Sequence, residues 1–145
     1  MFLDASVIVA ILAKEEDAGY FLAKIEAHKK QFYYSAMSAF EAVVSLGKIL
    51  ALSHGYQNRP TPPEMLETAQ RHVEAFFEMI GARPMVIDGN VYKVALEAAR
   101  RFGRHVGHPA RLNMGDCFAY ACAKQYRIPL LFKGDDFPHT DIGSV

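Results

Sequence analysis

Met1-Phe2-Leu3-Asp4-Ala5-Ser6-Val7-Ile8-Val9-Ala10-Ile11-Leu12-Ala13 opens the chain. Phe2 and Leu3 precede Asp4, and apolar residues then run almost unbroken from Val7 to Ala13. That is the pattern of a short buried strand passing directly into a buried helix. Asp4 therefore stands at a strand's carboxyl end. The run does not read as a signal peptide or membrane anchor. No basic residue precedes it, Asp4 interrupts it, and Lys14 ends it well short of the roughly 20 residues a spanning helix needs. A soluble cytoplasmic protein is expected.

Moving outward, the same alternation repeats. Phe21, Leu22 and Ile25 recur at helical spacing between Ala18 and His28, with lysines left for solvent. Gln31-Phe32-Tyr33-Tyr34-Ser35 reads as a short strand and Ser38 to Leu52 as a helix. Ser53 to Pro63, with Gly55, Asn58, Pro60 and Pro62, must be an exposed connection before a helix over Met65–Ile80 that Pro63 can start. Met85-Val86-Ile87 is a strand candidate and Val91–Phe102 a helix ending in Arg100 and Arg101. Asn113–Tyr126 is a helix, and Ile128-Pro129-Leu130-Leu131-Phe132 is a buried strand that delivers Lys133-Gly134-Asp135-Asp136. Strands alternating with helices predict one α/β domain over 1–145 with a mainly parallel sheet.

Composition narrows the function. The 145 residues carry 51% hydrophobic and 22% charged side chains, an ordinary globular balance. Sixteen basic and sixteen acidic residues cancel, so nucleic acid could be drawn only to a local patch. Cys117 and Cys122 form no CxxC and fit buried thiols in a reducing compartment. The histidines, at 28, 54, 72, 105, 108 and 139, are scattered singly. No HExxH, G-x-S-x-G, P-loop or G-x-G-x-x-G occurs.

What remains is carboxylates. Ser38-Ala39-Phe40-Glu41 fits the capping box S-x-x-E and Asn113-Met114-Gly115-Asp116 resembles one, so each acid taken singly is most simply a helix cap. Asp4 could likewise cap the helix after it, and Asp135 and Asp136 could be turn residues beside Gly134. Their joint placement points elsewhere. In an open parallel sheet, strand carboxyl ends and the following helix starts share one edge, where ligands bind. Acids gathered there would repel unless a divalent cation held them, and an all-oxygen set suits Mg2+ or Mn2+ rather than zinc. Ser6 could bond a metal-bound water or a phosphate, or simply serve the helix start.

Together, Met1–Ser6, Ser38–Ala42, Leu112–Ala121 and the run Pro129–Phe137 continuing to Thr140-Asp141-Ile142 make the chain resemble a PIN-domain ribonuclease, specifically the VapC toxins of bacterial toxin–antitoxin pairs. The resemblance implies a three-layer sandwich about a parallel sheet, Mg2+-dependent cleavage of RNA with Mn2+ as a substitute, homodimerisation, and inhibition by a VapB-type antitoxin. It implies that Asp4 and Asp116 are the chief metal ligands and Glu41 a ligand directly or through water. An acid after the last strand is the fourth member, Asp135 being favoured and Asp136 the alternative. Ser6 and Asn113 are auxiliary polar residues. Arg100, Arg101, Arg104, Arg111 and Lys133 are candidates to contact RNA, and Phe21, Leu22, Leu46 and Leu50 to line an antitoxin groove or dimer contact. Competing readings are a PIN-like module without turnover that only binds RNA or an antitoxin, and an aspartyl-nucleophile phosphatase. Asp4-Ala5-Ser6 lacks the second aspartate that the phosphatase needs.

Overall fold

The computed structural model describes residues 1–142. Its element order is β1 (Phe2–Leu3), α1 (Ala5–Leu12), α2 (Ala18–Ala27), β2 (Tyr33–Ser35), α3 (Ala36–Ser53), α4 (Pro63–Met79), β3 (Arg83–Met85), α5 (Gly89–Phe102), α6 (Met114–Tyr126) and β4 (Leu130–Leu131). The strands form one parallel sheet in the order β3-β2-β1-β4, with Phe2 opposite Leu130 and Leu3 opposite Leu131. Parallel strands need crossover helices, and these cover both faces.

The two-residue period of the strands divides the core. Leu3 and Leu131 join the cluster built by α1 to α4, whereas Phe2 and Leu130 join the one built by α5 and α6. Burial on both faces explains why β1 and β4 are uniformly apolar. The result is the expected α/β three-layer sandwich.

Differences from the sequence reading have local causes. β3 lies at Arg83–Met85 rather than Met85–Ile87, because pairing with Tyr33–Ser35 sets its register. Pro84 is tolerated because β3 is an edge strand. The α3 cap is Ser35 rather than Ser38. Ser35 Oγ accepts the Ser38 N–H at 3.1 Å and Ser38 Oγ accepts the Ser35 N–H at 2.9 Å. Glu41 is thereby released from any capping duty. Phe21 and Leu46 are core residues, and only Leu22 of the four proposed contact residues is exposed.

α3 is long and apolar enough by composition to cross a membrane. In this fold it packs instead against α1, α4 and α6. Gly47 permits the α4 approach, since a Cβ there would lie 2.6 Å from Leu66 Cδ2.

Candidate metal and phosphodiester site

Asp4 follows β1 directly. Its amide continues the sheet by donating to Leu131 O at 3.0 Å, and its side chain caps α1 by accepting the Ser6 N–H at 3.0 Å. The Ser6 hydroxyl donates to the same carboxylate oxygen, Oδ2. Asp4 is 6% exposed, one of three buried polar or charged residues among those described. Asp116 sits in the first turn of α6, where it and Asn113 complete a capping box. Asp116 Oδ2 accepts the Asn113 N–H at 2.7 Å and Asn113 Oδ1 accepts the Asp116 N–H at 3.0 Å. Capping and cleft-lining thus coincide in both aspartates. The two readings that the sequence left open are not exclusive.

Glu41 reaches across from α3 to α6. Its carboxylate lies against Gly115, where an added Cβ would collide with Oε2 and lie 2.9 Å from Cδ. Asp136 completes the group from the loop after β4. Asp4, Glu41, Asp116 and Asp136, with Ser6 and Asn113, line one open cleft of about 350 Å3. Asp135 is exposed and does not line it. The preference between the two neighbours is reversed by this placement.

Burial, and after it repulsion within the cleft, is visible in proton affinities. Burial pushes the Asp116 carboxyl up from 3.8 to about 6, with the charges of Asp4 and Asp136 adding to it. Glu41 is raised by burial, then by Asp4 and Asp116. Asp4 is raised by burial against the lowering bonds from Ser6. Such a set favours either protons or a bound cation. The donors facing the cleft are oxygens, with no histidine or cysteine among them, which suits Mg2+ or Mn2+. Among the described residues no three converge tightly enough to enclose an ion unaided. Asp4 and Asp116 each already commit one oxygen to a cap. Mg2+ keeps several waters and takes one or two carboxylates, so these residues fit a hydrated ion rather than a closed cage.

A family model described as PIN domain matches residues 1–143. The chain belongs to the PIN-domain family. Within that family it is similar to a VapC ribonuclease of Rhizobium meliloti strain 1021, 35% identical over 98% of this chain and 99% of the relative. Ribonuclease VapC42 of Mycobacterium tuberculosis H37Rv is 38% identical over 98% and 96%. Ribonuclease VapC30 of the same species is 32% identical over 100% and 98%.

The cations of this PIN domain are not all where the sequence reading put them. Arg100 pairs with Glu97 at 3.5 Å, and Arg101 pairs with Asp141 at 3.4 Å and lies over the Phe102 ring. Neither lines the acidic cleft, nor does exposed Arg111 in the loop before α6. Lys133 does line it, but its ammonium is held by Glu15 and by Asp17 at 2.9 Å. Those two hydrogen bonds raise its pKa. Arg104 has no ion-pair partner among the described residues. It lines the adjoining cavity with Glu41 and Asn113, and its charge slightly offsets the raised pKa of Asp116.

Two features of the cleft were missed by sequence reasoning. Glu15, which sequence reading did not single out, contributes to its wall. Phe137 is buried and packs on Phe132 with centroids 4.9 Å apart, anchoring the loop that carries Asp136. Beside the acids, Met37, Phe40, Val44 and Met114 form an apolar wall, with Phe40 69% and Met114 64% exposed.

Proposed function

We propose that this PIN domain is a Mg2+-dependent endoribonuclease acting as the toxin of a VapBC-type pair. The observation that carries the reading is the meeting of Asp4, Glu41, Asp116 and Asp136, from four separate elements, in one cleft where burial, with the neighbouring carboxylates adding to it, raises the proton affinities of Asp4, Glu41 and Asp116. Full-length similarity to proteins named VapC ribonucleases supports RNA as substrate and a VapB-type protein as partner.

Asp4 and Asp116 would hold the ion, each through the oxygen its helix cap leaves free, with Asp136 beside them. When bound, Mg2+ or Mn2+ would supply positive charge to stabilise the phosphate and leaving oxygen as negative charge develops there. Glu41, which like Asp136 makes no side-chain hydrogen bond among the described residues, reaches in from α3 and is free to orient an attacking water and accept its proton. Asn113 and Ser6 keep Asp116 and Asp4 aimed inward. Arg104 would take an RNA phosphate next to the scissile one, drawing a polyanion to an acidic cleft in a chain of zero net charge.

The apolar wall of Met37, Phe40 and Val44 offers an antitoxin segment a seat next to Glu41. Exposed Tyr92 and Leu96 on α5 offer a face for the homodimer. A cytoplasmic location follows from the substrate and agrees with the buried free thiols of Cys117 and Cys122.

The test is cleavage of a structured RNA by purified protein with chelator and with metal restored. Cleavage should vanish with chelator and return with Mg2+ or Mn2+. Undiminished cleavage in chelator would contradict the metal reading. Tight RNA or antitoxin binding without cleavage in either condition would favour the inactive binding module.

A further inference from the structure

We infer that Lys133 is a positioning residue for the metal-binding acids, a clamp tying the loop after β4 to the turn between α1 and α2. The inference rests on the reading of the cleft as a divalent-cation site.

Two bonds leave Lys133 in different directions. Its ammonium is gripped by the Glu15 carboxylate and by Asp17 Oδ1 at 2.9 Å, residues 118 and 116 positions away. Its backbone N–H donates to Ser6 Oγ at 3.0 Å. With that oxygen accepting from Lys133, the Ser6 hydroxyl hydrogen is directed to Asp4 Oδ2, which also accepts the Ser6 N–H. One residue therefore fixes the rotamer of Asp4 through Ser6. It also fixes the start of the Lys133-Gly134-Asp135-Asp136 loop, where Gly134, at φ +101°, turns the chain and Asp136 reaches the cleft.

The clamp also manages charge. Glu15 lines the same cleft and would add another unneutralised carboxylate to it if Lys133 let go. Held between two carboxylates, the ammonium belongs to a group of net charge −1 and does not repel an incoming cation. The bridge is about one-third exposed on both sides, a setting in which ion pairs contribute little to global stability. Its consequence lies in geometry.

Charge and clamp predict opposite signs. If Lys133 acted only as a nearby positive charge, removing it would tighten divalent binding. As a clamp, removing it loosens binding. The test uses the intact chain, with Mn2+ affinity measured by titration calorimetry or electron paramagnetic resonance. For Lys133→Met the Mn2+ dissociation constant should rise about tenfold or more, the usual effect of losing a residue that orients a metal ligand. Lys133→Arg, whose planar fork can still engage two carboxylates, should stay close to wild type. In metal-free protein, amide exchange at residue 133 should accelerate in Lys133→Met, with α6 amides unchanged.

Unchanged or tighter Mn2+ binding by Lys133→Met, or unaltered exchange at residue 133, would overturn the clamp. Wild-type protein that takes up no Mn2+ would overturn the cation-site reading and this inference with it. The wild-type titration alone separates the two failures.

Discussion

Asp4→Asn and Asp116→Asn each remove RNA cleavage, by roughly a hundredfold or more, while leaving a folded protein. Loss of a group that merely orients a metal ligand costs about 10–100-fold, so loss of the ligand's charge should cost at least the upper end. The fold survives because asparagine keeps the oxygen that each cap requires. At Asp4 that oxygen still accepts from Ser6, and at Asp116 it still accepts the Asn113 N–H. Stability should move opposite to activity.

In metal-free wild type the Asp116 carboxyl, with a folded pKa of about 6 against 3.8, binds more protons folded than unfolded between those values. Its contribution is therefore fully present below pH 3.8 and is lost as pH rises through 6. Asp116→Asn lacks this loss. Thermal melts in chelator should show the variant at least as stable as wild type at pH 7.5, with a smaller fall in melting temperature from pH 5 to 7.5. A variant that cleaves RNA normally, or one that unfolds at neutral pH, would contradict the assignment.

Gly115→Ala should lower cleavage roughly 10–100-fold, comparable to disturbing an outer-shell metal partner, without changing any acid. The added methyl would occupy the place of Glu41 Oε2 and approach Asn113 Oδ1 to 3.2 Å. Glu41 can swing away at little cost to the fold because its carboxylate is the far end of a flexible side chain. Alanine also gains up to about 1 kcal/mol of helix propensity over glycine. A melting temperature within a few degrees of wild type, together with impaired cleavage, is expected. Full activity would remove Glu41 from the working site.

Much of this arrangement was legible in the chain, for identifiable reasons. β1 and β4 are buried on both faces, so their apolar runs stand out despite being two residues long. Asp4 and the Asn113–Asp116 box could be placed because capping is a local interaction. The capping box read at Ser38–Glu41 is made instead by Ser35 and Ser38, and the Glu41 carboxylate meets Gly115, 74 positions away, a contact no local pattern reveals. β3 was displaced because register comes from the neighbouring strand, not from residue propensity. The choice between Asp135 and Asp136 depends on how the chain turns at Gly134, which no spacing reveals. Lys133 looked like a free cation because its partners at 15 and 17 lie far away in sequence.

The claim on which the account depends is that these acids share one divalent cation site. Anomalous diffraction at the manganese edge, from crystals soaked in Mn2+, tests it most directly. The account predicts a strong peak between the carboxylates of Asp4 and Asp116, with Asp136 and Glu41 within reach through at most one water. No peak in that cleft at saturating Mn2+, or a peak only at another surface, would contradict it.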